Sequence, residues 1–266
     1  MTLVRPLSWG RRYLMCRPEH FRVDYAINPW MDVDPLSGNP DMVYAMNYGF
    51  VDGDHVAISS FRHDERRPEA EAAEWWFGEL GYRTSRIADA GRGAFEAGDA
   101  FLVGDRLLVA SGPRTDRTTH QVLADVFDVR VANVGVIHPA LYHLDLSFCP
   151  LDETRAIVAP SAWDDAGWRT VRALVPEPLV ISEREAFTFC ANSVVVDDVV
   201  VMPTGVPPRV ARQLERWGFA VETVDVSELH KAGGSIRCMT LPLDTSLDAA
   251  RVTTRTGALG TAALAG

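Results

Sequence analysis

Five stretches of this chain share one order of elements, and that repetition limits the fold more than any other feature. In each, an apolar strand-like run meets a tight polar turn and a second run, usually followed by a helical period and another short run. The hairpins span Val43 to Ser59, turning at Asp52-Gly53-Asp54; Ala94 to Ala110, turning at Gly104-Asp105; Leu141 to Pro160, turning at Leu151-Asp152-Glu153-Thr154; and Phe187 to Pro203, turning at Asp197-Asp198. These turns carry the Gly and Asp that hairpins need. With Ser235 opening the fifth stretch, the starts lie 51, 47, 46 and 48 residues apart. So regular a step predicts structural repeats around a centre.

Helical periods fall between the hairpins. Pro68 to Leu80 puts Ala72, Ala73, Trp76, Phe77 and Leu80 on one face; Asp116 to Phe127 does so with Val122, Leu123, Val126 and Phe127; Pro208 to Trp217 with Val210, Leu214 and Trp217. Gly81 and Gly218 follow two of them as stop signals. The fifth unit ends near Leu243, too early to be complete, so its missing strand is expected from Arg12 to Cys16, pairing the two ends of the chain. Residues 1–244 then read as a single α/β domain and 245–266 as a loose tail. Asn28 to Pro40, with its prolines and Gly38, reads as a structured loop over one end of the ring.

The formal net charge of -10 over 266 residues argues against a nucleic-acid backbone or an anionic membrane as partner. The opening residues lack an apolar segment with a cleavage site, and no later run reaches membrane-spanning length. The four cysteines, Cys16, Cys149, Cys190 and Cys238, are far apart and form neither a metal-finger pair nor a disulfide framework, which suggests a reduced, cytoplasmic protein. Cys16, Cys149 and Cys190 read as core. Without a Gly-rich phosphate loop or a nicotinamide fingerprint, no cofactor is expected. The expected partner is a small molecule, and a homo-oligomer is compatible with the sequence.

The first strands of the hairpins carry polar groups that are costly to bury unpaired: Asn47, then Glu96 and Asp99, then His143 and Asp145, then Asn192, then Cys238. In a ring these positions converge on the axis, where they supply a nucleophile, an acid/base and anchors for a cation. Each residue also has a plainer reading. Glu96 can cap a turn with Gly98; His143 can be a buried histidine held by Asp145, the stronger reading on spacing alone; Asn192 is read as structural. The two glycines before Cys238, Gly233 and Gly234, suit a tight turn or close approach to a ligand. A metal site competes, but the donors sit on separate units with no local H-x-x-x-H or C-x-x-C pair.

The segments Pro40-Asp41-Met42-Val43-Tyr44, Phe95-Glu96-Ala97-Gly98-Asp99, Arg114-Thr115, His143-Leu144-Asp145, Ala191-Asn192 and Gly233 to Met239 together resemble the guanidino-group-modifying superfamily. Its members are five-bladed α/β propellers (penteins) of ββαβ repeats with pseudo-fivefold symmetry, and include arginine deiminases, dimethylarginine dimethylaminohydrolases and amidinotransferases. Met15 to Phe21 and Val23 to Met31 look like the opening of the bacterial arginine dihydrolases, which convert arginine to ornithine, carbon dioxide and two ammonia molecules. The resemblance implies Cys238 as nucleophile, His143 as acid/base, Glu96 as its carboxylate partner and Asp145 as guanidinium anchor. It places Arg66 and Arg114 at positions that hold the substrate carboxylate, and adds Asp41 to the substrate pocket.

Two departures bear on substrate. Arginine deiminases and dimethylarginine hydrolases have an aspartate where this chain has Asn47; an amide can also hold a ureido carbonyl, which suits a second round on citrulline, and Asn28 could supply another amide. Dimethylarginine hydrolases tend to lack an acid at Asp145, so its presence favours unmethylated arginine. The expectation is therefore a cysteine-dependent arginine dihydrolase, with a citrulline-forming deiminase or dimethylarginine hydrolase as the alternative and a non-catalytic arginine-binding protein as a third reading.

Overall fold

The computed structural model describes residues 4, 6–21, 27–30, 40–90 and 93–252. Most of the loop expected over the ring (31–39) and the last part of the expected tail (253–266) lie outside them.

The described residues build five separate sheets. Strand β1 (Tyr13–Leu14) precedes four units of one design. The first holds β2 (Gly49–Asp52), β3 (His55–Ile58), helix α1 (Arg67–Glu79) and β4 (Arg83–Arg86). The second holds β5 (Ala100–Val103), β6 (Arg106–Ser111), α2 (Thr119–Phe127) and β7 (Val131–Gly135). The third holds β8 (Phe148–Pro150), β9 (Arg155–Val158), α3 (Asp165–Leu174) and β10 (Glu177–Val180). After the short helix α4 (Glu183–Ala186) the fourth holds β11 (Val194–Val196), β12 (Val199–Pro203), α5 (Pro208–Arg216) and β13 (Ala220–Val224). Helix α6 (Ser227–His230) and β14 (Leu241–Pro242) complete the order.

In every unit the first two strands form an antiparallel hairpin, and the helix returns the chain so that the third strand lies parallel to the second. The expected closure of the chain's ends is present: β1 pairs antiparallel with β14, Tyr13 opposite Pro242. Asp244 reinforces it by accepting from the Gly10 and Arg11 main-chain N–H groups at 2.9 and 2.8 Å. Bridges from Ser60 to Phe95 and from Val136 to Trp163 stitch neighbouring units together.

Burial explains which strands the sequence revealed. β2, β3, β5 and β9 are buried throughout and read as apolar runs, whereas β4 (Arg-Thr-Ser-Arg) and β13 (Ala-Val-Glu-Thr-Val) lie at outer edges and are largely exposed. The hairpins begin later than the sequence suggested, at Gly49, Ala100, Phe148, Val194 and Leu241. The residues before them form single turns: 3-10 turns at Ala45–Tyr48, Ala97–Asp99 and Leu144–Leu146, and turns over 187–191 and 236–239.

On α1, Ala73 and Phe77 are buried, but Ala72 and Leu80 face solvent; the buried Glu69 takes part of the face instead. Helix α3, which the periodicity did not reveal, buries only Gly167 and Val171 and is started by Asp164, whose Oδ1 accepts from Gly167 N at 2.6 Å. All four cysteines are free thiols; Cys149 and Cys190 are buried as expected, but Cys16 is half-buried. Residues 245–252 are packed rather than loose: Leu247 and Ala250 are fully buried, and Arg251 donates to Asp52 Oδ2 at 2.6 Å and to Phe127 O at 2.8 Å.

Candidate active site

The single turns ahead of the first strands bring the expected polar side chains together. Asn47, Asp145 and Cys238 lie within such turns, Asn192 immediately follows one, and Glu96 and His143 stand at the N-terminal edges of theirs. A one-turn segment reverses quickly, so its polar groups face the middle while apolar neighbours such as Met46, Ala97 and Leu144 stay in the core.

Cys238 is buried. Its Sγ lies 3.3 Å from Asp145 Oδ2 and 3.1 Å from Asn192 Nδ2. Burial and then the Asp145 charge push the thiol well above its usual range, so Sγ–H donates to Asp145. The Asp145 carboxyl is itself raised by burial, although His143 opposes this, and its Oδ1 has no hydrogen-bond partner among the described residues. A buried acceptor left unsatisfied is costly and suits a ligand N–H.

His143 Nε2 is 2.8 Å from Glu96 Oε2, so the histidine is held by Glu96 and not by Asp145 as its sequence spacing suggested. Burial would raise the Glu96 carboxyl, but Arg114 at 3.0 Å and the His143 bond hold it well below the usual carboxylate range. An ionised carboxylate only accepts, so Nε2 carries the proton and Nδ1 is the nitrogen left for chemistry. The Glu96 Oε1 accepts from Arg62 N at 3.2 Å, and the Glu96 N–H donates to Thr115 Oγ1 at 3.1 Å. Asp99, its carboxyl raised to about 6 by burial, accepts from Leu144 N at 2.8 Å and so pins the turn beside His143.

The cavity over these groups is lined by Ile27, Asn28, Asp41, Tyr44, Asn47, Arg66, Arg114, Tyr142, His143, Ala232, Gly234 and Cys238. Its free volume is ≈ 10 Å³, about that of one water. Asn47 Oδ1 accepts from Gly98 N at 2.9 Å, which fixes the amide so that its NH2 is the end free to meet a ligand. The oxygen of Asn28 accepts from Trp30 N and its Nδ2 donates to Ala232 O at 3.2 Å, so this amide serves mainly to hold the roof. Trp30 anchors that roof by donating Nε1–H to Ala140 O at 2.7 Å and packing on Phe187 and Phe189.

Arg66 is buried and paired through Nε and Nη2 with Glu69, at 2.9 and 2.7 Å, with Asp41 Oδ2 3.8 Å away. Arg114 spans Glu96 and the Ile27 carbonyl and stacks over Tyr142 at 4.5 Å. Both arginines face the cavity with a carboxylate already behind them. Glu69, Tyr44 and Tyr142 had no role assigned from sequence; the Arg66/Glu69 spacing on one helix turn is the signal that could have found Glu69. Gly233 adopts φ 87, and a Cβ there would lie 2.5 Å from Asn28 Oδ1, which ties the glycine before Cys238 to the roof. Among the described residues no group of three or more His, Cys, Asp or Glu could hold a metal ion.

The family model for N,N dimethylarginine dimethylhydrolase, eukaryotic, matches residues 31–245. The dimethylarginine dimethylaminohydrolase of Mycobacterium tuberculosis is 36% identical over 88% of this chain and 86% of its own length. The bifunctional arginine dihydrolase/ornithine cyclodeaminase ArgZ of Synechocystis is 32% identical over 86% of this chain and 37% of its own, so this chain spans about a third of that relative. The crystal structure of the N-terminal domain of ArgZ bound to product, an arginine dihydrolase of cyanobacteria, superposes with a TM-score of 0.83 at 32% identity, covering 89% of this chain and 98% of that one. With the cysteine, histidine and carboxylates gathered in one cavity and the family model spanning most of the sequence, the chain belongs to the N,N-dimethylarginine dimethylhydrolase family of guanidino-modifying enzymes.

Proposed function

We propose that the protein is a cysteine-dependent hydrolase of guanidino C–N bonds that acts as an arginine dihydrolase, turning L-arginine and two waters into L-ornithine, two ammonia and carbon dioxide. The guanidinium gives hydrogens to Asp145, whose Oδ1 has no hydrogen-bond partner among the described residues. Its charge offsets that of Asp145 and lets Cys238 ionise, the thiol proton passing to His143 Nδ1. The sulfur then bonds to the guanidinium carbon, and His143 Nδ1 gives a proton to the departing ammonia. Water, deprotonated by the same nitrogen, adds to that carbon; the S–C bond breaks and citrulline forms. A second attack at the ureido carbon expels ammonia, and hydrolysis of the thioester-like intermediate leaves a carbamate that falls apart to carbon dioxide and ornithine.

The observation that carries the dihydrolase over a single-round enzyme is the fixed amide of Asn47. Its oxygen is taken by Gly98 N–H, so it offers the cavity a donor, which suits a ureido oxygen better than a guanidinium. Asn47→Asp should therefore halt at citrulline, read by amino-acid analysis; ornithine still released at the wild-type rate would refute this role. A dimethylarginine hydrolase is the second reading, favoured by the family model and the mycobacterial relative, and release of dimethylamine from asymmetric dimethylarginine would identify it. A cytoplasmic location accords with four free thiols, and no described helix is long and apolar enough to cross a membrane.

A further inference from the structure

Asn192, buried just ahead of β11, ties the turn of Cys238 to the turn of Asp145. Its Oδ1 accepts from the Cys238 main-chain N–H at 3.2 Å. Its Nδ2 donates to the Asp145 main-chain carbonyl at 3.0 Å and to Cys238 Sγ at 3.1 Å. The two main-chain partners decide which end of the amide is which, because an N–H only donates and a carbonyl only accepts. Flipping the amide would break both bonds. The sulfur therefore meets an amide hydrogen whatever its own charge.

Asp145 Oδ2 stands 3.3 Å from the same sulfur, where it accepts from the thiol but repels a thiolate. The other titratable groups near the sulfur are Tyr44, Tyr142 and His143, with Asp41, Arg66 and Arg114 on the cavity wall and Arg237 acting on Asp145. Of the described side chains only that of Asn192 donates a hydrogen bond to the sulfur, joined by the Ser235 main chain. We propose that Asn192 is a catalytic residue of the hydrolysis set out above, its amide N–H stabilising the Cys238 thiolate against the Asp145 carboxylate and holding the sulfur towards the cavity. A tie that only joined two turns would need the two main-chain bonds and not the third.

The test is a pH titration of thiolate ultraviolet absorbance, taken as the difference between each protein and its Cys238→Ser counterpart, in wild type, Asn192→Ala and Asn192→Asp. It requires neither substrate nor reagent entry, so it stands apart from the choice of substrate. Loss of a hydrogen bond to a charged group should raise the Cys238 midpoint by about 1 to 2 pH units in Asn192→Ala. Asn192→Asp keeps the shape and the acceptor for Cys238 N–H but turns an oxygen to the sulfur, and should raise it at least as far. An unshifted midpoint in either folded variant overturns the proposal. So does failure of both variants to keep the wild-type circular dichroism, which would make Asn192 a structural tie.

Discussion

Cys238 sits between two neighbours of opposite effect, an amide that favours the thiolate and a carboxylate that disfavours it. Cys238 is accordingly held as a thiol, and in the proposed reaction it becomes the nucleophile when a cation arrives. The sign follows directly: burial and Asp145 raise the pH at which Cys238 ionises, so Asp145→Asn should lower that midpoint, by about 1 to 3 units, while weakening arginine binding. Thiolate absorbance and calorimetry read the two effects; a raised midpoint would contradict the assignment. The identities of Cys238, His143, Glu96, Asp145 and Asn47 were legible because polar groups inside apolar runs stand out. Their pairings were legible only in part. Spacing alone tied His143 to Asp145 two residues away, whereas the family resemblance gave Glu96 of the preceding unit, the partner found; Asn192, read as structural, reaches the sulfur.

At the level of elements, the polar groups belong to single turns and not to strands. The alternation of apolar residues through Val43 to Met46 or Leu141 to Leu144 resembles a strand, and only the backbone reveals that the chain turns before the hairpin begins. These turns are tight because they meet at the centre. A Cβ on Gly98 would lie 2.7 Å from Asn47 Oδ1 and 3.2 Å from Asp145 Oδ2, closer than real contacts allow in the first case. Gly98→Ala should therefore displace Asn47 and cut kcat/KM by roughly 100-fold with little change in the thermal midpoint. Unchanged kinetics would show that the turn tolerates more movement than its packing suggests. Helix α3 has a short stripe, Trp168, Val171 and Leu174, that packs on the core, but only Gly167 and Val171 of its ten residues are buried, so little of it stands out.

For the whole molecule, the regular spacing correctly gave the repeated units and the pairing of the chain's ends, since each unit has to bury the same two strands. It misjudged residues 245–252, whose small polar composition conceals anchoring side chains, among them Leu247 and Arg251. Leu247 is fully buried and its N–H donates to Asp52 Oδ1 at 2.8 Å. Leu247→Ala should cost about 3 kcal/mol in urea unfolding, where a loose tail would cost nothing. The turns that carry Asn47 and Cys238, and the edge of the turn that begins at His143, line one small cavity, whose proposed chemistry proceeds through Cys238. Amino-acid and ammonia analysis after incubation with L-arginine tests it most directly. The account predicts ornithine with two ammonia for each, and no product at all from Cys238→Ser; citrulline as the end product would contradict the second round, and turnover by Cys238→Ser would contradict the nucleophile itself.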